Sequence, residues 1–457
     1  MRLASLIIVT IALAVVMGLS ACAKGANPSV PGAPEGDVTS TVMRDQTIRV
    51  GLLSFTPQKH LFISISRGSF NCYVGDSLQE FTTGVAGNVL EFTGGDDAIE
   101  LGSGSESEQS STSRPEIIPP ANADKKNPGN KIIRIESAGG VENGNIEIGP
   151  SRGQLRAYRG KIRLILEGKN ILAVNEVPLE DYLLGVVPAE MDPTWPVEAL
   201  KAQAVASRTY ALFQLARYGT RGFDVADDER SQRYGGVSVE TDTTTRAATQ
   251  TTNEVVTYEG KLACVVFHKE SGGHTASNLD VWPHSGNVPY LVGVSDVLGV
   301  MDFSKGGQYK EWSSSATFDQ LREVLNRDGE TYVGDYFSSI SVLGMSETGR
   351  LQTLDLQGRK ERLVPAMDLA HVLNRNIHED FLPSNLYKIT VENGGYTFTG
   401  SGKGHGVGMS QWGAHERALG DQGYKFILTQ YFPGTEVTEI PLDGLEAVHN
   451  THIDQIR

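Results

Sequence analysis

The chain has 457 residues, with 55 acidic and 40 basic side chains and a formal net charge of −15 at pH 7. Proteins that bind nucleic acid present basic patches, so this balance argues against a nucleic-acid partner. The length permits two or three domains. Three cysteines are too few for a disulfide scaffold.

The N-terminus has the layout of a bacterial secretory signal. Arg2 precedes an apolar run over residues 3–19, which is slightly short for a transmembrane helix of about 20 apolar residues. A cysteine directly after Leu-Ser-Ala is typical of a lipobox, in which Cys22 carries a diacylglycerol and becomes the mature N-terminus. We therefore expect an exported protein, lipid-anchored on the extracytoplasmic or periplasmic face of a membrane. An ordinary cleaved signal is the alternative.

Composition divides the first third of the chain into segments. The signal spans 1–22, and a stretch over 23–45 that is rich in Pro, Gly, Ser and Thr predicts a flexible tether. Alternating apolar residues then predict strands in a small β-rich unit over 46–101. Residues 102–130 combine Gly, Ser, Pro and charge and cannot bury enough apolar surface to order. They predict a disordered linker.

The main body, 131–440, is expected to be α+β. Strand patterns come first, and a short helix is predicted from Pro178 to about Leu184. A long helix is predicted from about Pro196 to Tyr218, where Gly219 gives a C-cap signal.

The region of about 298–397 has mixed character. Helices are predicted at 318–326 and 365–374. We expect this region to form a smaller subdomain inserted in the body. Residues 441–457 are expected to form a C-terminal tail.

The densest chemical pattern is EVPLEDYLLGVVPAEM, over 176–191. Glu190 stands among apolar residues, and a carboxyl group in apolar surroundings has a raised pKa because desolvation disfavours its charged form. A general acid must stay protonated near neutral pH. A solvent-facing glutamate is the plainer alternative. Glu180 and Asp181 compete for the role, but acidic residues in the first turn of a helix favour the helix dipole.

Arg208 lies on an apolar face of the long predicted helix. An unpaired buried charge is costly, so Arg208 should have a partner, either a structural or a catalytic carboxylate. An ion pair with Glu190 would lower the pKa of that acid and oppose its role. We therefore expect Arg208 to pair elsewhere, for example with Glu180.

Two glycine-rich turns follow. FHKESGGHT, over 267–275, is a tight polar turn that contains Ser271, and the absence of HExxH, thiolate and GxSxG patterns disfavours a metal site or a serine nucleophile. GKGHGVGMSQWG, over 402–413, has glycine at alternating positions, which indicates a loop that a ligand approaches closely. His405, isolated between glycines, is a better site candidate than a typical core histidine.

Five blocks in order resemble the signature of the stage II sporulation protein D/amidase-enhancer family: EVPLEDYLLGVVPAEM, ALKAQAVASRTYA, SQRYGG, FHKESGGHT with DVW, and GKGHGVGMSQWGA. The resemblance spans roughly Ile132 to Val437. It implies a lytic transglycosylase that needs no cofactor and acts on glycan strands stripped of stem peptides, with Glu190 as its catalytic carboxylate. It also implies a set of substrate-binding cleft residues, which are Gln203, Arg208, Gln232, Tyr234, His268, Ser271, Gly272, His405, Ser410 and Gln411.

The implied partners are peptidoglycan glycan strands, a membrane through the lipid anchor, and a cell-wall amidase if the chain is instead a non-catalytic activator of that enzyme. A two-carboxylate glycoside hydrolase is another alternative, and it would require a second acid at ~5–10 Å from Glu190. A metallopeptidase is a distant third. The sequence departs from the family at Lys269 and Glu270, which replace the small hydroxyl residues that usually follow the first histidine.

Overall fold

The computed structural model describes residues 46–75, 80–102, 131–139, 144–283, 285–298, 301–302, 304, 307–392 and 394–439. The signal over 1–22 with its lipobox Cys22, the tether over 23–45, the tail over 441–457 and all but the first residue of the linker over 102–130 lie outside these described residues. Within the described part of the chain, no helix has the length and apolar character needed to cross a membrane.

The secondary structure alternates strands with short helices. The strands are β1 (Thr47–Gly51), β2 (His60–Ile65), β3 (Ser69–Val74), β4 (Glu80–Val85), β5 (Leu90–Gly94), β6 (Ile99–Leu101), β7 (Ile132–Ser137), β8 (Ile146–Gly149), β9 (Arg156–Tyr158), β10 (Lys161–Glu167), β11 (Asn170–Pro178), β12 (Val225–Ala226), β13 (Glu254–Tyr258), β14 (Lys261–Leu262), β15 (Phe267–His268), β16 (Val297–Leu298), β17 (Met301–Asp302), β18 (Trp312–Thr317), β19 (Phe337–Met345), β20 (Leu351–Gly358), β21 (Arg362–Pro365), β22 (Tyr387–Glu392), β23 (Gly395–Gly400), β24 (Met409–Ser410) and β25 (Glu436–Glu439). The helices are α1 (Leu179–Glu190), α2 (Val197–Phe213), α3 (Asp242–Gln250), α4 (Asn278–Val281), α5 (Phe318–Leu325), α6 (Ala366–Asn376), α7 (Gln411–Leu419) and α8 (Tyr424–Tyr431).

Two sheets combine strands from both sides of the linker. The larger has the order β12-β1-β11-β10-β7-β3-β4, and the smaller has the order β6-β5-β2-β8-β9. Their apolar faces share one hydrophobic core with α1 and α2. The expectation of a separate β unit over 46–101 is therefore wrong. Alternation reveals that a strand has one apolar face, but it does not identify the strand with which it pairs.

Helix α1 follows β11 directly and positions the candidate acid. It begins where Pro178 predicts a helix but runs on to Glu190, past Pro188. The helix continues because one face, with Leu183, Val186 and Val187, is buried in the core, and tertiary packing overrides the local propensity of proline.

Helix α2 is the centre of the α part of this α+β body. It packs against α1, α3, α7 and α8, and almost all of its side chains from Ala199 to Leu212 are buried. It ends at Phe213, five residues before the predicted end at Tyr218. Because α2 is enclosed on all sides, its polar side chains must find partners within the protein.

A second hydrophobic core lies within residues 316–398, where the sequence suggests an inserted subdomain. Helices α5 and α6 pack there on two three-stranded sheets, β18-β23-β22 and β19-β20-β21. Both helices lie close to their predicted positions, because each buries one strongly apolar face.

Candidate functional site

Glu190 ends α1, and its carboxylate is held by donors from a loop and from the first residue of α7. The backbone N–H of Arg233 donates a hydrogen bond to Oε1 at 2.8 Å. The amide Nε2 of Gln411 donates to Oε2 at 3.2 Å. The next residue, Met191, leaves the helix in an extended conformation and is buried. The carboxyl group is therefore fixed in one orientation by groups far apart in the chain.

The surroundings of Glu190 favour its protonated form. Burial raises the pKa of Glu190 above the ordinary value for a glutamate. The hydrogen bonds from the Arg233 N–H and Gln411, and the charges of Arg233 and Lys269, partly offset that effect on the pKa. A carboxyl group of this kind can donate a proton and is then stabilised as the anion by the same donors.

Gln203 supports Gln411 from α2. The Nε2 of Gln411 also donates to Gln203 Oε1 at 3.3 Å, and Gln203 Nε2 donates to Ser207 Oγ at 2.9 Å. Both glutamines are buried, but only Gln411 touches Glu190. Gln203 is therefore a positioning residue, and Gln411 contacts Glu190, while its predicted contact with substrate stays a prediction.

Gln232 and Tyr234 hold the loop that carries Arg233. The Nε2 of Gln232 donates to Tyr182 OH at 3.3 Å, and the rings of Tyr234 and Tyr182 lie 5.0 Å apart. Both loop side chains are buried in the core. The prediction that they line a cleft for substrate is therefore corrected, since they aim the Arg233 N–H at Glu190 from behind the site.

Arg208 pairs with Glu180, as expected from its apolar helix face. Its Nε and one terminal nitrogen donate to the two carboxylate oxygens of Glu180, both at 2.7 Å. A further nitrogen donates to the carbonyl of Glu254 at 3.1 Å. Arg208 is fully buried and has no hydrogen bond to Glu190. The expected substrate-binding role of Arg208 is wrong, because this side chain is not accessible to a sugar.

Two histidines of the glycine-rich turns, His405 and His268, form hydrogen bonds to backbone groups of the neighbouring loops. His405 accepts from the Val407 N–H at Nδ1 (3.1 Å) and donates from Nε2 to the Phe267 carbonyl (2.9 Å). The Nδ1 of His268 donates to the Val407 carbonyl at 3.0 Å. Burial lowers the pKa of His405 to about 4 and that of His268 well below its ordinary value, so both rings are neutral.

The glycine spacing around His405 also has a structural cause. A Cβ on Gly406, whose φ is 81°, would lie 2.3 Å from the guanidinium carbon of Arg350. Arg350 is fully buried and donates to the carbonyls of Ser271 (2.7 Å) and His274 (3.3 Å). The loop therefore admits an arginine of the inserted region, where the sequence suggests close approach by a ligand.

Ser271 and its neighbour Gly272 lie in a buried polar network. The Ser271 hydroxyl donates to the carboxylate of Asp296, and Tyr431 OH donates to the other Asp296 oxygen at 2.6 Å. Gly272 has φ of 71°, which the tight turn requires. Ser410 caps α7, and its Oγ accepts from the backbone N–H of Gly413 at 3.1 Å. These three predicted cleft residues shape the loops rather than face a ligand.

An aromatic cluster that is linked to the site through Lys269 and Gln411 was not predicted. The rings of Trp195, Trp412 and His415 lie 4.8–5.1 Å from one another. The Nζ of Lys269 lies 5.0 Å from the centre of the Trp195 ring. The sequence held a signal for this cluster: both tryptophans lie at the edges of motif blocks, and Lys269 departs from the family pattern.

Comparison with known protein families identifies two matching regions of the chain. Residues 167–258 match the family described as stage II sporulation protein, and residues 280–408 match a domain of unknown function (DUF8618). An uncharacterized protein of Brachyspira hyodysenteriae is 32% identical over 285 residues, 62% of this chain and 72% of that protein. This chain belongs to the stage II sporulation protein D/amidase-enhancer family.

Two named proteins of Bacillus subtilis are also similar to this member of the stage II sporulation protein D/amidase-enhancer family. The amidase enhancer is 31% identical over 297 residues, which make up 56% of this chain and 40% of the enhancer. Stage II sporulation protein D is 29% identical over 284 residues, which make up 58% of this chain and 76% of that protein. The match to the sporulation family includes Glu190, and the match to the domain of unknown function includes the second core.

Proposed function

We propose that this protein is a peptidoglycan lytic transglycosylase, which cleaves the bond between N-acetylmuramic acid and N-acetylglucosamine in glycan strands without stem peptides. The observation that carries the proposal is the state of Glu190: its carboxyl group has a raised pKa and is held by two fixed donors from distant parts of the chain. Proton donors with these properties are typical of enzymes that cleave glycosidic bonds.

The proposed reaction uses Glu190 first as an acid and then as a base. Glu190 protonates the glycosidic oxygen, the bond from the muramyl C1 to that oxygen breaks, and N-acetylglucosamine leaves with a free hydroxyl. Positive charge develops on C1. The Glu190 carboxylate then takes the proton of the 6-hydroxyl of the same muramyl residue, whose oxygen bonds to C1. A 1,6-anhydro product forms, no water is consumed, and Glu190 regains its proton.

The neighbours of Glu190 favour this reaction over a two-carboxylate hydrolysis. The main influences on its pKa come from burial, an N–H group, an amide and two cations, and not from a second acid. The acid nearest in sequence, Asp192, is exposed and bonded to the Thr194 N–H (2.9 Å) and hydroxyl (2.7 Å). Arg233 and Lys269 would stabilise the carboxylate that remains after the first proton transfer.

A non-catalytic role is the second candidate, because the enhancer relative is named for the activation of an amidase. In that case the aromatic cluster and Lys269 would bind glycan and present it, or the protein itself, to an amidase. Glu190 would then contribute to binding alone.

Mass spectrometry of the products distinguishes these candidates. Denuded glycan strands are incubated with the chain lacking residues 1–22, with its Glu190→Gln variant and with a control Glu347→Gln variant, whose glutamate is exposed on the inserted region. We expect 1,6-anhydromuramyl ends from the parent and the control but not from Glu190→Gln. Reducing muramyl ends would indicate hydrolysis. Absence of cleavage with retained glycan binding would support the activator.

We also propose that the protein is exported and anchored through a lipid on Cys22. The support is the sequence around that residue, which is typical of a lipobox. Metabolic labelling with a radioactive fatty acid should mark the full chain but not its Cys22→Ala variant. Equal labelling of the two would contradict the anchor.

A further inference from the structure

Lys269 differs from the other basic side chains near Glu190. Arg233 forms an ion pair with Glu229, and Lys403 forms one with Asp380 at 2.6 Å. Lys269 is in no ion pair with a carboxylate of the described residues, although its charge is close enough to influence the pKa of Glu190. A cation beside the candidate acid is therefore available for a ligand.

The backbone fixes Lys269 at the edge of the site. Its carbonyl accepts from the Trp412 N–H at 3.1 Å. Its neighbours, His268 and Glu270, are both buried, and the Glu270 carboxylate accepts from the Tyr309 N–H at 2.9 Å. The Glu270 carboxylate is thus bonded within the protein. The charge of its neighbour Lys269, in contrast, acts on Glu190.

The ammonium group of Lys269 is partly desolvated. It lies over the Trp195 ring at 5.0 Å, and burial lowers its pKa from the ordinary value for lysine, while the charge of Glu190 acts in the opposite direction. The other charges that act on it are Arg233, Lys403 and Asp192. A partly buried cation without a paired anion binds an incoming anion more strongly than an exposed lysine, because it has already lost part of its hydration.

We propose that Lys269 binds the lactyl carboxylate of the muramyl residue and makes this site selective for strands in which that carboxylate is free. The lactyl carboxyl group is bound in an amide while a stem peptide is attached, and it becomes a free carboxylate when the peptide is removed. Trp412, whose ring lies 4.8 Å from that of Trp195 and is only half-buried, offers an apolar ring surface to a sugar. Lys269 is a specificity-determining residue in this scheme, and the scheme rests on the proposed function only in taking a muramyl glycan as the ligand.

Calorimetric binding to the Glu190→Gln chain tests the proposal without dependence on cleavage. The probes are an oligomer of alternating N-acetylglucosamine and N-acetylmuramic acid with free carboxylates, the same oligomer as its methyl ester, and a chitin oligomer of equal length. A charge-assisted hydrogen bond corresponds to a preference of roughly tenfold or more for the free acid. This preference should weaken as salt is added.

Three second-site variants complete the design. Lys269→Gln should bind all three probes alike, and Lys269→Arg should keep the preference for the free acid. Lys360→Gln is the matched control, because Lys360 also lies over an aromatic ring, that of Tyr332 at 5.1 Å, but in the inserted region. Lys360→Gln should show the same preference for the free acid as the chain that carries Glu190→Gln alone. Thermal melting of each variant checks that it is folded.

Equal binding of the free acid and the methyl ester by the Glu190→Gln chain would overturn the proposal. A preference for the free acid that survives Lys269→Gln would also overturn it, as would a failure to bind any of the glycans. A preference that depends on Lys269, together with no glycan cleavage by the chain that retains Glu190, would uphold this inference and refute the transglycosylase.

Discussion

Replacement of Glu180 by glutamine would separate the structural acid of this protein from its candidate catalytic acid. Arg208 is fully buried, and both of its 2.7 Å bonds to carboxylate oxygens go to Glu180. Glutamine preserves the size of the side chain but removes the charge. Loss of one partner from a buried pair costs about 3–5 kcal/mol, and we expect about 2–4 kcal/mol here because water screens a partly exposed Glu180. The exposed fraction of its side chain is 26%.

Scanning calorimetry would measure this effect as a lower Tm. A change of 1 kcal/mol shifts Tm by roughly 2–4 °C in domains of 150–250 residues, and by less in larger ones. Glu180→Gln should therefore melt several degrees below the parent. Glu190→Gln should not, because burial raises the pKa of Glu190 and so already opposes its charged form in the folded protein.

A paired variant tests the cause. Glu180→Leu combined with Arg208→Met removes both charges and should recover most of the lost stability, because apolar pairs often replace buried ion pairs without loss. The reasoning would be refuted if Glu180→Gln melted with the parent and abolished glycan cleavage while Glu190→Gln remained active. Those results would exchange the roles of the two acids.

Three further predictions concern the site and its support. The rate of the proposed cleavage should decline as pH rises through the raised pKa of Glu190. Lys269→Gln should move this decline to higher pH, because it removes a cation that favours the Glu190 carboxylate. Profiles of rate against pH measure both effects, and a profile that Lys269→Gln leaves unmoved contradicts the role of Lys269. Trp412→Ala should weaken glycan binding measured by calorimetry below the Tm of the variant, because Trp412 is the half-buried indole of the aromatic cluster, and unchanged affinity would remove the cluster from the site. Tyr431→Phe should cost about 1–3 kcal/mol, because it removes a hydroxyl donor from the buried Asp296; thermal melting tests this, and an unchanged Tm would contradict it.

Features encoded within a few residues could be predicted from the sequence. The apolar neighbours of Glu190 indicate a raised pKa, and burial of the carboxyl group in the folded protein acts in that direction. The apolar helix face around Arg208 indicates a buried partner, and Glu180 is that partner. The start of α1 after Pro178 follows in the same way. In each case the physical cause lies within one or two helical turns of the residue.

Features that depend on distant contacts could not be predicted. The two donors to Glu190 come from Arg233 and Gln411, which are 43 and 221 positions away in the chain. His405 was misjudged because the partners of both its ring nitrogens are backbone groups of another strand and of its own loop. A motif shows that residues are needed together, but it does not distinguish a group that touches a ligand from a group that holds the loop in place.

The position of β1 between β12 and β11 in the larger sheet sets a limit on how this protein can be divided. β1 pairs with β11 on one side and with β12 on the other. The stretch matched by the sporulation family contains β11 and β12 but does not contain β1. A fragment that begins after the linker would expose two unpaired strand edges and tend to aggregate. The same gap offers a means of control: a separate peptide spanning 46–102 could be added to such a fragment to complete the sheet, so that assembly of the two pieces would switch the site on.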